Sequence, residues 1–528
     1  MIAGLFFSMN SIKEISIDAF SIDDSIEDAI ERRIRDFSES QYYRILRKSI
    51  DSRHGKVHFR IQLELSSDPF LDYTASHYFA NFPDKLRPNF EVTIIGAGPA
   101  GYFAALQLLK HGIKPIIIER GKDVRSRRRD LVKIHREHKV HPDSNYCYGE
   151  GGAGAYSDGK LYTRSLKRGS VSGILETFVA FGADPEILVN AHPHIGTNKL
   201  PGILTAMREF IISRGGEIHF EKRVVGIKIV DGTIYSLADQ NGNEFFCNKV
   251  ILATGHGADD IYNLLLTSGI QLDFKPFAIG VRAEHPQSWV DDTQYKCNTR
   301  PSILPAAEYR LADQIDGRGV YSFCMCPGGI IAPCATEDGL IVTNGWSPSK
   351  RNNPYANSGI VVPVGWSDIR EFQHFGALAG IQFQRSIESR ACQMAGSNQT
   401  APAQRLIDFI HDIESTVPLT SSYQPGITAV KMDAVLPKYI THALRRAFQS
   451  FDRKMRGYIH PEAVLVAPET RTSSAITIPR NKQFLFSPQC QNLYPCGEGA
   501  GFAGGIVSAA MDGERVANAI AVSTIIKR

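Results

Sequence analysis

No apolar run in these 528 residues approaches the roughly 18 needed to cross a bilayer, so no membrane-spanning segment is expected. Charge of one sign is also missing. Fifty-nine Lys and Arg stand against 55 Asp and Glu, a net charge of +4. That balance gives no electrostatic case for a nucleic-acid or membrane partner. Nine unevenly spaced cysteines form neither a disulfide framework nor a metal-ligand pattern, so a reducing cytoplasm is the expected compartment and no metal is expected. The opening MIAGLFFSMN is apolar, but it lacks a basic flank and a small-residue cleavage pattern. It reads as an unstructured leader, with Met9 as an alternative start. No internal repeat or low-complexity tract stands out.

One more absence removes a function class. GAYSDGKL (residues 154–161) nearly matches a triphosphate-binding loop, G-x-x-x-x-G-K-[ST]. The Ser or Thr needed to ligate magnesium is replaced by Leu161. The preceding HPDSNYCY is polar and proline-broken where a buried strand should stand, and Asp158 would place acid in an anion cradle. The glycine loop therefore serves something other than a nucleoside triphosphatase.

Residues 1–88 read as a small α+β unit. KEISIDAF and KVHFRIQLEL alternate as strands, DDSIEDAIERRIRDF has helical spacing, and QYYRILRKSI reads as a second helix. The unit holds 12 basic and 14 acidic residues, a poor electrostatic footprint for RNA. The segment around Pro83 and Pro88 is a plausible linker. Short strands then alternate with helices up to about residue 258. Residues 259–464 are mixed and rich in Pro and Gly, and 465–528 return to strand, glycine loop and helix.

The strongest positive signal is EVTIIGAGPAGYFAALQLLKHG. An apolar strand runs into Gly96, Gly98, Pro99, Ala100 and Gly101, then into a helix. Gly96 permits the turn, Gly98 lets backbone approach a pyrophosphate, and Gly101 lets helix pack on sheet. The pyrophosphate would sit on the helix N-terminus. Glu119, 18 residues beyond Gly101 at the end of the next strand PIII, is placed for the adenosine ribose hydroxyls. An acid there disfavours a 2′-phosphorylated nucleotide, although Arg120 beside it weakens that inference. No second strand–GxGxxG–helix unit is present, so NAD(P)H, as an electron donor, would have to bind without a domain of its own.

Three further segments favour FAD over NAD. Val224 follows a strand where backbone can meet an adenine. VILATG ends in Thr254 and Gly255, a close-approach point. CGEGAGFAGGIVSAA carries Gly497, Glu498, Gly504, Gly505 and Ile506, the last opening a helix whose N–H groups can face the flavin. This arrangement resembles the two-dinucleotide-binding-domain flavoprotein superfamily. GEGGAGAYSDGKLYTR, FCMCPGGIIAPC, APETRTSSAITIPR and CGEGAGFAGGIVSAA narrow the resemblance to a family of bacterial FAD-dependent, NAD-utilising-type dehydrogenases.

The resemblance implies a Rossmann-like doubly wound FAD-binding domain (α/β, 89–258 and 465–528), an inserted mixed α+β substrate domain (259–464) and a small N-terminal α+β domain. It implies that Glu498 meets the ribityl chain or pyrophosphate. Gly151, Gly152 and Gly154, with Ala153 among them, would let backbone lie against the flavin ring, with Lys160 near its negative edge. The expected function is FAD-dependent oxidoreduction of a small organic molecule. A nucleic-acid-associated, RNA-modifying flavoprotein is the alternative, and a redox sensor a third.

Other residues are read more blandly. Cys324 and Cys326 would lie about 6.7 Å apart in a regular strand, so a redox pair needs a kink, which Pro327-Gly328-Gly329 is placed to supply. With Cys334, they otherwise read as structural. RSRRRDLVKIHREHK (125–139) reads as a solvated helix face, with attraction of an anionic substrate or nucleotide as the alternative, and His256 as structural or solvent-exposed, with a place facing the isoalloxazine as the alternative. Arg282, His285, Arg300, Asn344 and Arg471 are candidates for binding an anionic substrate. No catalytic side chain is assigned.

Overall fold

The computed structural model describes residues 11–22, 25–34, 42–70, 75–163 and 169–526. The expected leader at 1–10 lies outside them. Three sheets organise the chain. The first is antiparallel and three-stranded, with His58–Ser66 between Ser11–Asp18 and Tyr42–Asp51. The helix Ile26–Ile34 buries Ile26, Ala29 and Ile30 against the side of the sheet formed by Ile15, Ile61 and Leu63.

The second helix expected in QYYRILRKSI is instead the strand Tyr42–Asp51. Helical spacing and the aromatic, β-branched content of this stretch pulled in opposite directions. Pairing to His58–Ser66 decides between them, helped by cross-strand ion pairs of Arg44 with Glu64 at 2.6 Å and Arg60 with Asp51 at 3.0 Å.

The second sheet is parallel and five-stranded, in the order Leu493–Pro495, Val250–Leu252, Glu91–Ile95, Lys114–Ile118, Glu217–His219. Its inner strands read as apolar runs because both faces are covered, Ile94, Ile117 and Ile251 packing with the helices and Ile95, Ile118, Val250 and Leu252 with Val224, Ile234 and Leu237. Pro99 opens the helix Pro99–Lys110, where its missing N–H costs nothing. The helix Ile506–Ile526 lies beside it. A Cβ on Gly513 would stand 2.2 Å from the Ala100 carbonyl oxygen, so these helices meet backbone to backbone. An antiparallel meander, Val224–Val230, Thr233–Asp239 and Glu244–Phe246, flanks this unit.

The third sheet has seven strands, in the order Ala312–Ile315, Arg318–Cys326, Tyr355–Val364, Phe277–Pro286, Val464–Glu469, Ala401–Arg405, Ile427–Ala429. Val464–Glu469 straddles the 464/465 boundary expected from sequence, and its neighbours put it inside this sheet. Tyr78 and Phe82 pack with Phe181 and Phe210, against the parallel-sheet unit. No helix among the described residues is long and apolar enough to cross a membrane.

Candidate functional site

The carboxyl ends of the parallel strands open into a cleft of about 450 Å³, whose opposite wall comes from the seven-stranded sheet and its loops. That volume is in the range of small-molecule and cofactor sites. Gly96, Gly98, Pro99, Ala100, Glu119, Arg120, Gly152, Ala153, Lys160, Val224, Thr254, Gly255, Glu498, Gly504, Gly505 and Ile506 all line it.

Three residues expected at the cofactor stand behind the wall. Gly101 is a packing glycine, since a Cβ there would lie 2.0 Å from the Gly96 carbonyl oxygen. Gly151 turns from the cleft toward Leu204, whose Cδ1 would be 2.3 Å from a Cβ. Gly497 backs onto Ala100 and donates its N–H to Asp512 at 2.8 Å.

The cleft has the form a dinucleotide needs. A Cβ on Gly98, Gly255, Gly504 or Gly505 would meet nothing within 4 Å, so these positions border open space. The helices beginning at Pro99 and Ile506 both present their N-termini to it. Free N–H groups and the helix dipole make such ends anion sites.

Glu119 is buried, and its carboxylate accepts hydrogen bonds from the N–H groups of Ala97 (2.8 Å), Gly121 (2.8 Å) and Gly149 (2.9 Å). A carboxylate has about four acceptor positions, so one remains for a ribose hydroxyl. Arg120 is already neutralised by Asp143 at 2.8 Å and Asp260 at 3.0 Å, and lies over the Tyr148 ring.

The glycine loop 149–154 is fixed from behind by the helix Val124–Glu137, which Asp123 caps by accepting from Arg125 and Ser126 N–H. Most of that helix's basic face is solvated as its charge suggested, with Arg125, Arg128, Arg129, Lys133 and Arg136 exposed, and Arg127 is the exception. Arg127 is fully buried and donates to three carbonyls: Asn145 (2.7 Å), Glu150 (2.9 Å) and Gly152 (2.9 Å). Glu150 is equally buried and accepts from the Tyr102 hydroxyl, the Val124 N–H and Arg208. Gly151 donates to the Ala97 carbonyl, which ties this loop to the first glycine turn.

Beyond the loop, Asp158 is held by Arg351 at 2.7 Å and Leu161 is fully buried, so GAYSDGKL forms no anion cradle. The Lys160 ammonium bonds the Met325 carbonyl. Burial works to lower its pKa, but Cys324, Cys326 and Asp158 outweigh that and leave it raised.

His256 lies in the cleft wall, with Nδ1 3.4 Å from the Glu498 carboxylate. Burial works to raise the Glu498 pKa, but His256, Lys275 and the Gly505 N–H hold it below the usual range.

The anion-binding candidates separate cleanly. Arg471 and Asn344 line the cleft. Arg471 is fixed by both oxygens of the fully buried Glu388 at 3.0 and 2.9 Å. Arg282 is buried behind the wall, bonding Asn344 and the Cys324 carbonyl. His285, stacked on Trp289, and Arg300, paired with Asp291, serve the core elsewhere. Sequence reading missed Tyr148, Tyr162, Phe323 and Thr472, which also line the cleft; the last three lie inside stretches that carried the resemblance, and Tyr148 stands just before one, but none was singled out.

Comparison with known proteins agrees with this geometry. Residues 89–133 match a family model described as an FAD binding domain, and 276–472 match one described as FAD-dependent protein, C-terminal domain-like. An uncharacterised protein of Clostridium beijerinckii is 42% identical over 440 residues, covering 83% of this chain and 81% of its own. Among solved structures, the halogenase PltM in complex with ethyl mercury and mercury is similar at a TM-score of 0.39 and 10% identity, over 83% of this chain and 69% of that one. CtdE in complex with FAD is similar at 0.31 and 11%, over 82% and 84%. The chain binds FAD and belongs to the family of FAD-dependent proteins that these two models describe.

Proposed function

We propose that this FAD-dependent enzyme is a dehydrogenase-type oxidoreductase acting on a small organic substrate, with hydride or electrons passing through non-covalently held flavin. One observation carries the reading. A single cleft has the glycine edges of a dinucleotide fold on one wall and polar side chains of the seven-stranded unit on the other, namely Cys324, Asn344, Arg471 and Thr472. Bound flavin supplies the two-electron chemistry. The chain's own residues bind, orient and balance charge.

Gly98 and the N-terminus of Pro99–Lys110 would receive the pyrophosphate, and Glu119 the ribose. The helix beginning at Ile506 and the Lys160 ammonium would face the flavin edge that becomes negative on reduction. Across the cleft, Arg471 is held by both oxygens of Glu388 and stands 3.7 Å from Asp259, so its charge is already balanced and its remaining N–H groups are what it would offer a substrate as donors. His256, held at Nδ1 by Glu498, is the imidazole placed to hold or release a proton in the cleft.

The visible spectrum of purified protein tests this directly. Oxidised flavin bands are expected, and bleaching by NADH or NADPH would identify the donor. A colourless protein that cannot be reloaded with FAD would overturn the reading.

A further inference from the structure

Cys324-Met325-Cys326 ends the strand Arg318–Cys326. In regular strand geometry, residues two apart lie about 6.7 Å from each other, at the outer limit for joining sulfurs. The strand is not regular here. Its register against Tyr355–Val364 shifts between Phe323 and Cys326. Cys324 takes φ +46°, a left-handed conformation that residues with a side chain seldom adopt. The kink is thus at Cys324 itself rather than in the Pro327-Gly328-Gly329 turn. Cys324 lines the cleft, and Cys326 is fully buried behind it. The Cys326 thiol reaches back toward Cys324, with Sγ 3.4 Å from the Cys324 carbonyl oxygen.

The surroundings favour a thiolate at Cys324. The Lys160 ammonium bonds the intervening Met325 carbonyl, and Arg282 donates to the Cys324 carbonyl at 2.7 Å. Arg282 is completely buried, with its Nε unpartnered and Glu469 at 3.4 Å. The Cys326 hydrogen bond, then Lys160 and Arg282, hold the Cys324 pKa below the usual thiol range against burial and Asp158. The same contact pushes Cys326 up, so the pair divides into one thiolate and one thiol.

We propose that Cys324 and Cys326 are a redox-active dithiol that closes to a disulfide by passing two electrons to oxidised flavin in the shared cleft, and reopens in the reverse direction. The Cys324 thiolate and the Cys326 thiol form one S–S bond while the Cys326 S–H bond breaks. They give up two electrons and one proton, which oxidised flavin takes up, so one negative charge stands on each side. Closure across so short a span strains the bond, which makes it readily reduced and suits it to turnover rather than to holding the fold. The identity of the oxidant rests on the flavin reading of the cleft; the disulfide itself does not.

Two measurements on the full-length protein test this. First, protein stripped of flavin is oxidised with oxidised glutathione, alkylated with iodoacetamide and digested. The peptide carrying Cys324 and Cys326 should emerge unalkylated and lighter by two hydrogens, and the Cys326→Ser protein should show no such species. Second, flavin-loaded protein is titrated anaerobically with dithionite. Wild type should take up four electrons per flavin, and Cys326→Ser and Cys324→Ser two. If both cysteines remain alkylatable after oxidation, the proposal is overturned whatever the variants do. If the disulfide forms but wild type takes up only two electrons, electron exchange with flavin is overturned while FAD binding stands.

Discussion

Replacing Arg127 with methionine removes two hydrogen bonds to the glycine loop and one to Asn145 just before it, and keeps most of the side chain's volume. The guanidinium reaches the carbonyls of Asn145, Glu150 and Gly152 at 2.7–2.9 Å, and its stem fills the space a Cβ on Gly149 would occupy, with Cδ 2.5 Å away. Hydrogen bonds from a charged donor contribute about 1.5–3 kcal/mol each, and stranded buried carbonyls add a desolvation cost. Removing the buried cation gives some of this back, because its charge is desolvated and its second terminal nitrogen has no partner. Three such bonds, less the desolvation given back, leave an expected balance of about 3 kcal/mol.

The freed segment is the one bordering the cofactor. About 3 kcal/mol spent on reordering it would weaken FAD binding roughly 100-fold. Arg127→Lys should fall between, because one ammonium cannot span three carbonyls. The assay is the FAD dissociation constant by fluorescence on stripped and reloaded protein, beside a thermal melt. Wild-type affinity together with a wild-type melt in Arg127→Met would refute the assignment of Arg127 as the loop's anchor.

Gly98→Val and Gly101→Val should part company. The first borders open space, so FAD binding should fall at least 100-fold with the melt nearly unchanged, whereas the second collides with the Gly96 carbonyl and should lower both. Equal effects in the two would contradict this placement. Lys160→Ala should slow flavin reduction about tenfold or more; unchanged flavin affinity, spectrum and reduction rate would dismiss the residue. Burial pushes the Glu469 carboxyl up to about 7, with Arg282 pulling it down. The folded state then binds a proton the unfolded chain releases near pH 4.5, so stability should fall by up to about 3 kcal/mol as pH rises from 4.5 to 7. Denaturant melts across that window should show a flatter slope in Glu469→Gln, and an unaltered slope would count against the shift.

The dinucleotide turn was legible because everything it requires is local. VTIIGAGPAG carries strand, turn and helix start in one stretch, and PIIIERG places its acid one strand later. Glycines whose role is open space, such as Gly504 and Gly505, could be read the same way. What escaped depended on partners distant in sequence. Arg127 looked like one of many surface cations until its three carbonyl acceptors, 18–25 residues away, closed around it. Tyr42–Asp51 is a strand because His58–Ser66 pairs with it, and its own spacing also fitted a helix. The kink at Cys324 arises from a register shift against a strand more than thirty residues downstream. The Glu498 carboxylate that pairs with His256 lies over two hundred residues on, out of reach of any local pattern.

The placement of Leu493–Pro495 and Ile506–Ile526 bears on when the cofactor can be taken up. The edge strand beside Val250–Leu252 and the helix covering Pro99–Lys110 are made after nearly everything else in the parallel-sheet unit. A ribosome that has finished the first glycine turn must still add about four hundred residues before its closing wall exists. During that interval the Val250–Leu252 edge has no partner and the Ala100 face of the first helix is bare, an exposed edge of the kind that invites aggregation. Flavin capture is therefore an event of the nearly completed chain, and a nonsense mutation ahead of residue 493 would leave a product that is sticky as well as colourless.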